Sequence, residues 1–191
     1  MNIPILYINL DSRTDRRHDI EKLLIGTNYE RVSAVYNTKG YIGCAMSHIK
    51  CLEIMIEREY NECIILEDDF IFKGSNNFNN LKLPNFNYDI FLLCNHIKKS
   101  DNIDNKYCRV HVATWTSGHI VNKSIAFDLL ENLKEGLELY KKENIHKYFL
   151  DIYWQKLFNS YIAIGFNNSI ATQKDGFSDI QGTTINRSTV N

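Results

Sequence analysis

The chain has 191 residues, of which 44% are hydrophobic and 24% charged, proportions that suit one folded domain and exclude a disordered segment. Its 22 Lys and Arg against 23 Asp and Glu leave a formal charge of −1, so no net field draws it to nucleic acid or to an anionic membrane. No apolar run approaches the roughly 20 residues that span a bilayer, and Met1-Asn2-Ile3-Pro4 lacks the basic and apolar regions of a secretory signal.

The nearly unbroken apolar stretch from Ile3 to Leu10 predicts a strand buried on both faces of a parallel sheet. Ser12, with Asp15 three residues on, predicts a variant capping box and a helix to about Leu24, its inner face Ile20, Leu23 and Leu24. Tyr29 to Val35 reads as a strand, Gly40 and Gly43 as the brackets of a turn. Ala45 to Glu59 then reads as a helix with Ala45, Ile49, Leu52 and Ile56 at helical spacing. Cys63 to Leu66 is a short buried strand, Lys73 to Asn87 an Asn-, Gly- and Pro-rich loop, and Tyr88 to Cys94 a further strand. Val110 to Val121 suggests one or two strands interrupted at Thr116-Ser117-Gly118. Ser124 is expected to cap a helix with Phe127, Leu130, Leu133 and Leu137 inward. A shorter helical stretch covers Asp151 to Phe158, and Tyr161 to Phe166 is the last strand. Strands alternating with helices predict an α/β sheet domain over residues 1–181, followed by a mobile tail over 182–191.

Five cysteines, Cys44, Cys51, Cys63, Cys94 and Cys108, form no CxxC pair and have mostly apolar neighbours, which predicts buried free thiols. The expected setting is therefore reducing and cytoplasmic, with peripheral membrane attachment left open. Sequons at Asn122, Asn167 and Asn186 carry little weight without a secretory signal.

The sharpest chemical feature is Ile64-Ile65-Leu66-Glu67-Asp68-Asp69-Phe70, where three carboxylates follow a buried strand. They repel one another, and a divalent ion would relieve that repulsion at the strand end where α/β sheets collect ligands. Strand alternation puts Glu67 and Asp69 on one side, as ligands for Mg²⁺ or Mn²⁺, and turns Asp68 to the other, where it is kept as a cofactor-binding candidate. Arg13, Arg16 and Arg17 follow the first strand within one helical turn. Arg13 and Arg16 are the candidates for phosphate, Arg17 a solvated face. Neither a G-x-G-x-x-G nor a Walker A pattern occurs, which argues against dinucleotide dehydrogenases and P-loop enzymes.

In order along the chain, several segments resemble the family 25 glycosyltransferases, the group of lipooligosaccharide and collagen galactosyltransferases. They are Tyr7-Ile8-Asn9-Leu10-Asp11 with Arg13, Asp15, Arg16 and Arg17; Gly43-Cys44-Ala45-Met46-Ser47-His48; Ile65-Leu66-Glu67-Asp68-Asp69; Tyr88 to Leu93; and Gln173 with Ser178-Asp179-Ile180. The span between Ala34 and Gly40 is short for that family, and Tyr41 stands where an acidic residue is usual. The resemblance implies a GT-A fold, a Rossmann-like nucleotide-binding domain with a mixed, mainly parallel sheet. It further implies a UDP-sugar donor (galactose or glucose), Mn²⁺ or Mg²⁺, and transfer with inversion to a carbohydrate or glycoprotein acceptor in lipopolysaccharide or glycan biosynthesis. On that reading Asn9 and Asp11 contact the nucleoside, Ser47 and His48 line the cleft, and Asp151 is the general base, with Asp179 as the substitute base or a further metal contact. The competing expectations are a catalytically inactive scaffold of the same shape and a metal-dependent phosphohydrolase. The intact carboxylate cluster weighs against the first, and Glu67 in place of a nucleophilic Asp against the second.

Overall fold

A computed structural model describes residues 2–180 and 182–185. The chain opens with β1 (Ile5–Asn9), α1 (Thr14–Leu23), β2 (Tyr29–Ser33), α2 (Gly40–Glu57) and β3 (Glu62–Glu67). β1 is buried at all five positions because it lies between β2 and β3, both parallel to it, with packed layers above and below. After the short β4 (Phe70–Phe72), the long strands β5 (Ile90–Asn102) and β6 (Tyr107–Asn122) form an antiparallel hairpin. There follow α3 (Lys123–Glu143), α4 (Leu150–Tyr153), β7 (Ala163–Phe166), β8 (Ala171–Gln173), β9 (Gly176–Ser178) and β10 (Thr183–Ile185).

The central sheet has the order β2-β1-β3-β6-β5-β7. Only β6 runs against the others, since it is antiparallel to β3 and β5 while β7 is parallel to β5. The sheet is thus mixed and mainly parallel, as the alternation of strand and helix signals predicts. Successive residues of β1 and β3 feed opposite cores. Leu6, Ile8 and Ile65 meet α2 and α3, whereas Ile5, Tyr7, Ile64 and Leu66 meet α1 and the segment carrying Phe78 and Tyr88.

Several local expectations are corrected. α1 begins at Thr14 with Arg13 at its N-cap and no side-chain cap bond, so the Ser12 capping box does not form. Gly40 and Gly43 do not bracket a turn; they lie inside α2. A Cβ at Gly43 would stand 2.4 Å from the Val35 carbonyl oxygen, and one at Gly40 2.4 Å from the Ile180 Cα, so both glycines serve close backbone approach. β6 continues through Thr116-Ser117-Gly118 as one strand, but its ladder with β5 is irregular there, stepping from Thr114 opposite His96 to Gly118 opposite Cys94, and Trp115 takes a left-handed φ of 71°. Asn122, not Ser124, caps α3, its side chain accepting from the Ser124 N–H, and Phe127 is 64% exposed while Ile125, Ala126 and Leu129 pack inward. The segment expected as a tail from residue 182 begins with β10, which pairs with β9; residues 186–191, with the Asn186 sequon, lie outside the described residues.

Candidate active site

The carboxyl ends of β1 and β3 open onto a cleft of about 210 Å³. The start of α2, the middle of β6, the 149–151 segment and the stretch from β8 to Asp179 close its sides. Gly43 makes this wall possible. With no Cβ there, the chain at Val35 approaches α2, and Ser47 Oγ accepts from the Val35 N–H at 2.9 Å while donating to the Gly43 carbonyl at 2.7 Å. Ser47 lines the cleft, with its hydroxyl occupied in holding that wall.

β3 ends at Glu67, and the chain turns through Asp68-Asp69 before β4, so strand alternation stops applying. All three carboxylates line the cleft, which corrects the expectation that Asp68 faces away. Glu67 Oε1 accepts from Thr116 Oγ1 at 2.8 Å and lies 3.2 Å from His48 Nε2. Asp68 accepts from Arg16 Nη1 at 2.9 Å and from Asn9 Nδ2 at 2.7 Å. Asp69 Oδ1 is buried without a hydrogen-bond partner among the described residues.

Their protonation tendencies follow from these surroundings. Burial pushes Glu67 up, but the hydrogen bond and charge of His48, with Thr116 and Arg16, hold it below its ordinary value. Asp68 is raised by burial against the pull of Arg16 and Asn9. Asp69 is pushed up to about 8, first by burial and then by the charges of Glu67 and Asp68. An anionic centre in which one carboxyl resists ionisation is short of positive charge.

Of the other sequence candidates, Asn9, Arg16, His48, Asp151 and Asp179 line the cleft, whereas Asp11 and Arg13 lie outside its lining. Asp11 is held by Arg31 and by Ser33 Oγ at 2.8 Å. Arg13 is bound to Asp15 and to Asp179, at 2.9 and 2.5 Å, and so anchors the segment that carries Asp179. Asp151 reaches the cleft from α4, where its Oδ2 accepts from the Trp115 N–H at 3.2 Å. Burial is the main cause of its raised pKa; the Trp115 N–H opposes the shift and the charge of Glu67 adds to it.

Sequence reasoning assigned no site role to Thr116, Ser117, Gln173 and the stacked rings of Tyr41 and Phe149, whose centroids are 3.6 Å apart. Gln173 Nε2 donates to Ser117 Oγ at 2.5 Å, and Ser117 opposes the rise of the Asp69 pKa. His119 lies beneath, its ring 5.6 Å from that of His48; burial, and secondarily His48, lower its pKa to about 3 and keep it neutral. Gln173 belongs to the closing motif noted in the sequence; for the β6 residues no local pattern marks a strand position as facing a distant carboxylate.

The family model for glycosyltransferase family 25, described as an LPS biosynthesis protein, matches residues 37–148, more than half of the chain. The chain belongs to glycosyltransferase family 25. No curated protein matches it by sequence. Among solved structures, this family 25 chain is similar to a glycosyltransferase involved in glycosylation of the major capsid of PBCV-1. The identity is 13%, the coverage 95% of this chain and 96% of that one, and the TM-score 0.52. It is also similar to A197 from STIV (12% identity, 97% and 93% coverage, TM-score 0.50). GlyE of Streptococcus pneumoniae TIGR4 matches at 9% identity and a TM-score of 0.53, over 85% of this chain and 45% of that one. At such identities the likeness establishes the fold, which is of GT-A type, a Rossmann-like α/β domain. No helix among the described residues of the family 25 chain is long and apolar enough to cross a membrane.

Proposed function

We propose that this glycosyltransferase moves a hexose, galactose or glucose, from a UDP-sugar to a hydroxyl of a carbohydrate or glycoprotein acceptor, with inversion and with a divalent cation at the carboxylate cluster. The observation that carries the reading is the buried, unpartnered Asp69 Oδ1 beside Glu67 in an open cleft. A hard-oxygen donor set of this kind fits Mn²⁺ or Mg²⁺. Glu67 and Asp69 would hold the ion, which supplies counter-charge to the diphosphate leaving group.

The chain's own residues carry the remaining roles. Arg16, fixed by Asp68 and by the Phe177 carbonyl at 2.6 Å, presents its guanidinium to the cleft, where it favours phosphate oxygens. Asn9 orients Asp68 for the donor. Asp151, raised in pKa and lining the same cleft as the carboxylate cluster, is suited to take the proton of the acceptor hydroxyl. Asp179 is tied to Arg13, which favours a role in closing the cleft over one as base. The match to an LPS biosynthesis family supports a glycan or glycolipid acceptor.

The test is incubation with UDP-galactose or UDP-glucose, Mn²⁺ and simple sugar acceptors, with proton NMR of the product. A β-linked product from the α-linked donor supports the reading. An α-linked product contradicts inversion, and loss of no donor under any metal condition contradicts the activity.

A further inference from the structure

The first turns of α2 bring a different chemistry to the same cleft. Cys44 and His48 are four residues apart and therefore project from one helix face, and Glu67 meets them from the end of β3. The Cys44 sulfur, a His48 ring nitrogen and a Glu67 carboxylate oxygen all lie within 4.8 Å of one another. The 3.2 Å between His48 Nε2 and Glu67 Oε1 is close to the roughly 3.3 Å edge of a tetrahedron built on zinc–nitrogen and zinc–oxygen bonds.

We propose that Cys44, His48 and Glu67 form a site for a thiophilic divalent ion of the zinc class, and that its occupation inhibits transfer by withdrawing Glu67 from the donor-phosphate cation. The inhibition, though not the binding, rests on the function proposed above. Sulfur and imidazole beside a carboxylate select a borderline-soft ion, where Glu67 with Asp69 selects a hard one, so two cations compete for one carboxylate. Cys44 is also reachable: it lines the cleft and is half-buried, while Cys51, Cys63, Cys94 and Cys108 are buried.

Binding would exchange the Cys44 S–H proton for the metal and release that proton to solvent.

The experiment is a Co²⁺ titration of the metal-free full chain, followed by optical spectroscopy. At one equivalent, wild type should show a near-ultraviolet thiolate-to-cobalt charge-transfer band and the intense visible bands of a four-coordinate site, both removed by Zn²⁺. Cys44→Ser should lose the charge-transfer band and bind Zn²⁺ at least tenfold more weakly in chelator competition. A weak six-coordinate spectrum without charge transfer in wild type, or equal Zn²⁺ affinity in the two proteins, overturns the proposal. Should Cys44→Ser fail to fold, X-ray absorption of zinc-loaded wild type decides: a sulfur at about 2.3 Å supports the site, and a purely nitrogen and oxygen shell overturns it. No UDP or sugar enters these readouts, so they stand apart from the fate of the donor-site reading. In transfer assays at saturating Mn²⁺, Zn²⁺ should inhibit wild type and spare whatever activity Cys44→Ser retains.

Discussion

Asn9 Nδ2 donates to Asp68 Oδ2 at 2.7 Å, so one buried amide at the end of β1 fixes the carboxylate that follows β3. The same nitrogen donates to the Arg13 carbonyl at 3.0 Å, and Asn9 Oδ1 accepts from Arg31 Nε at 3.0 Å. Asn9→Ala strips three partners at once, two of them charged. It should cost about 1–3 kcal/mol of stability by urea denaturation, the range for leaving buried polar groups unsatisfied. Donor affinity should fall with it. An unchanged midpoint would mean that water replaces the amide without loss.

Asp69 makes a pH-dependent prediction whose sign can be worked out. Its carboxyl is raised from an ordinary 3.8 to about 8 in the folded chain, so between those values the folded state binds the proton more tightly than the unfolded one. Stability is then lost as pH rises from about 4 through about 8. Asp69→Asn cannot ionise, and without divalent cation it should melt at least roughly 3 °C higher than wild type at pH 8, with the gap closing towards pH 4. Mn²⁺ should narrow the gap at pH 8 by stabilising wild type alone. A gap independent of pH would remove the electrostatic explanation.

Asp151→Asn keeps an oxygen to accept from the Trp115 N–H and removes only the capacity to take a proton. Turnover should fall about 10²–10⁴-fold, the usual range for losing a general base, with UDP affinity unchanged. Turnover near wild type would reduce Asp151 to a backbone acceptor that holds Trp115 at its left-handed φ.

Gly43→Ala tests the close approach on which the cleft wall depends. Its Cβ would meet the backbone oxygen of Val35 at 2.4 Å, which only movement of the 34–39 segment can relieve. A loss of about 1–3 kcal/mol is expected, as for other overpacked sites. Ser47 would lose its bond to the Val35 N–H, and a backbone amide shift at Val35 in NMR spectra should report the movement.

The parts of this architecture written in local sequence were legible. The apolar runs Ile3 to Leu10 and Cys63 to Leu66 announce the buried strands found at Ile5–Asn9 and Glu62–Glu67, and three consecutive carboxylates at the end of the second stand out. Gly40 and Gly43 misled, because the same missing Cβ serves a turn or a tight helix contact and only the partner backbone distinguishes them. Thr116 and Ser117 read as an interruption because they are small and polar, yet they meet Glu67 and Asp69 from 49 and 48 positions away in the chain, a relationship set by sheet order. Asp68 was misdirected by extending strand alternation one residue beyond the strand.

A cation-dependent site for a nucleoside diphosphate at Glu67 and Asp69 is open to calorimetric titration of UDP into the full chain, with Mn²⁺ and then with EDTA. Binding in the micromolar range is expected, requiring Mn²⁺ and lost in Asp69→Ala. UDP binding of equal strength in EDTA, or undiminished in Asp69→Ala, would contradict it.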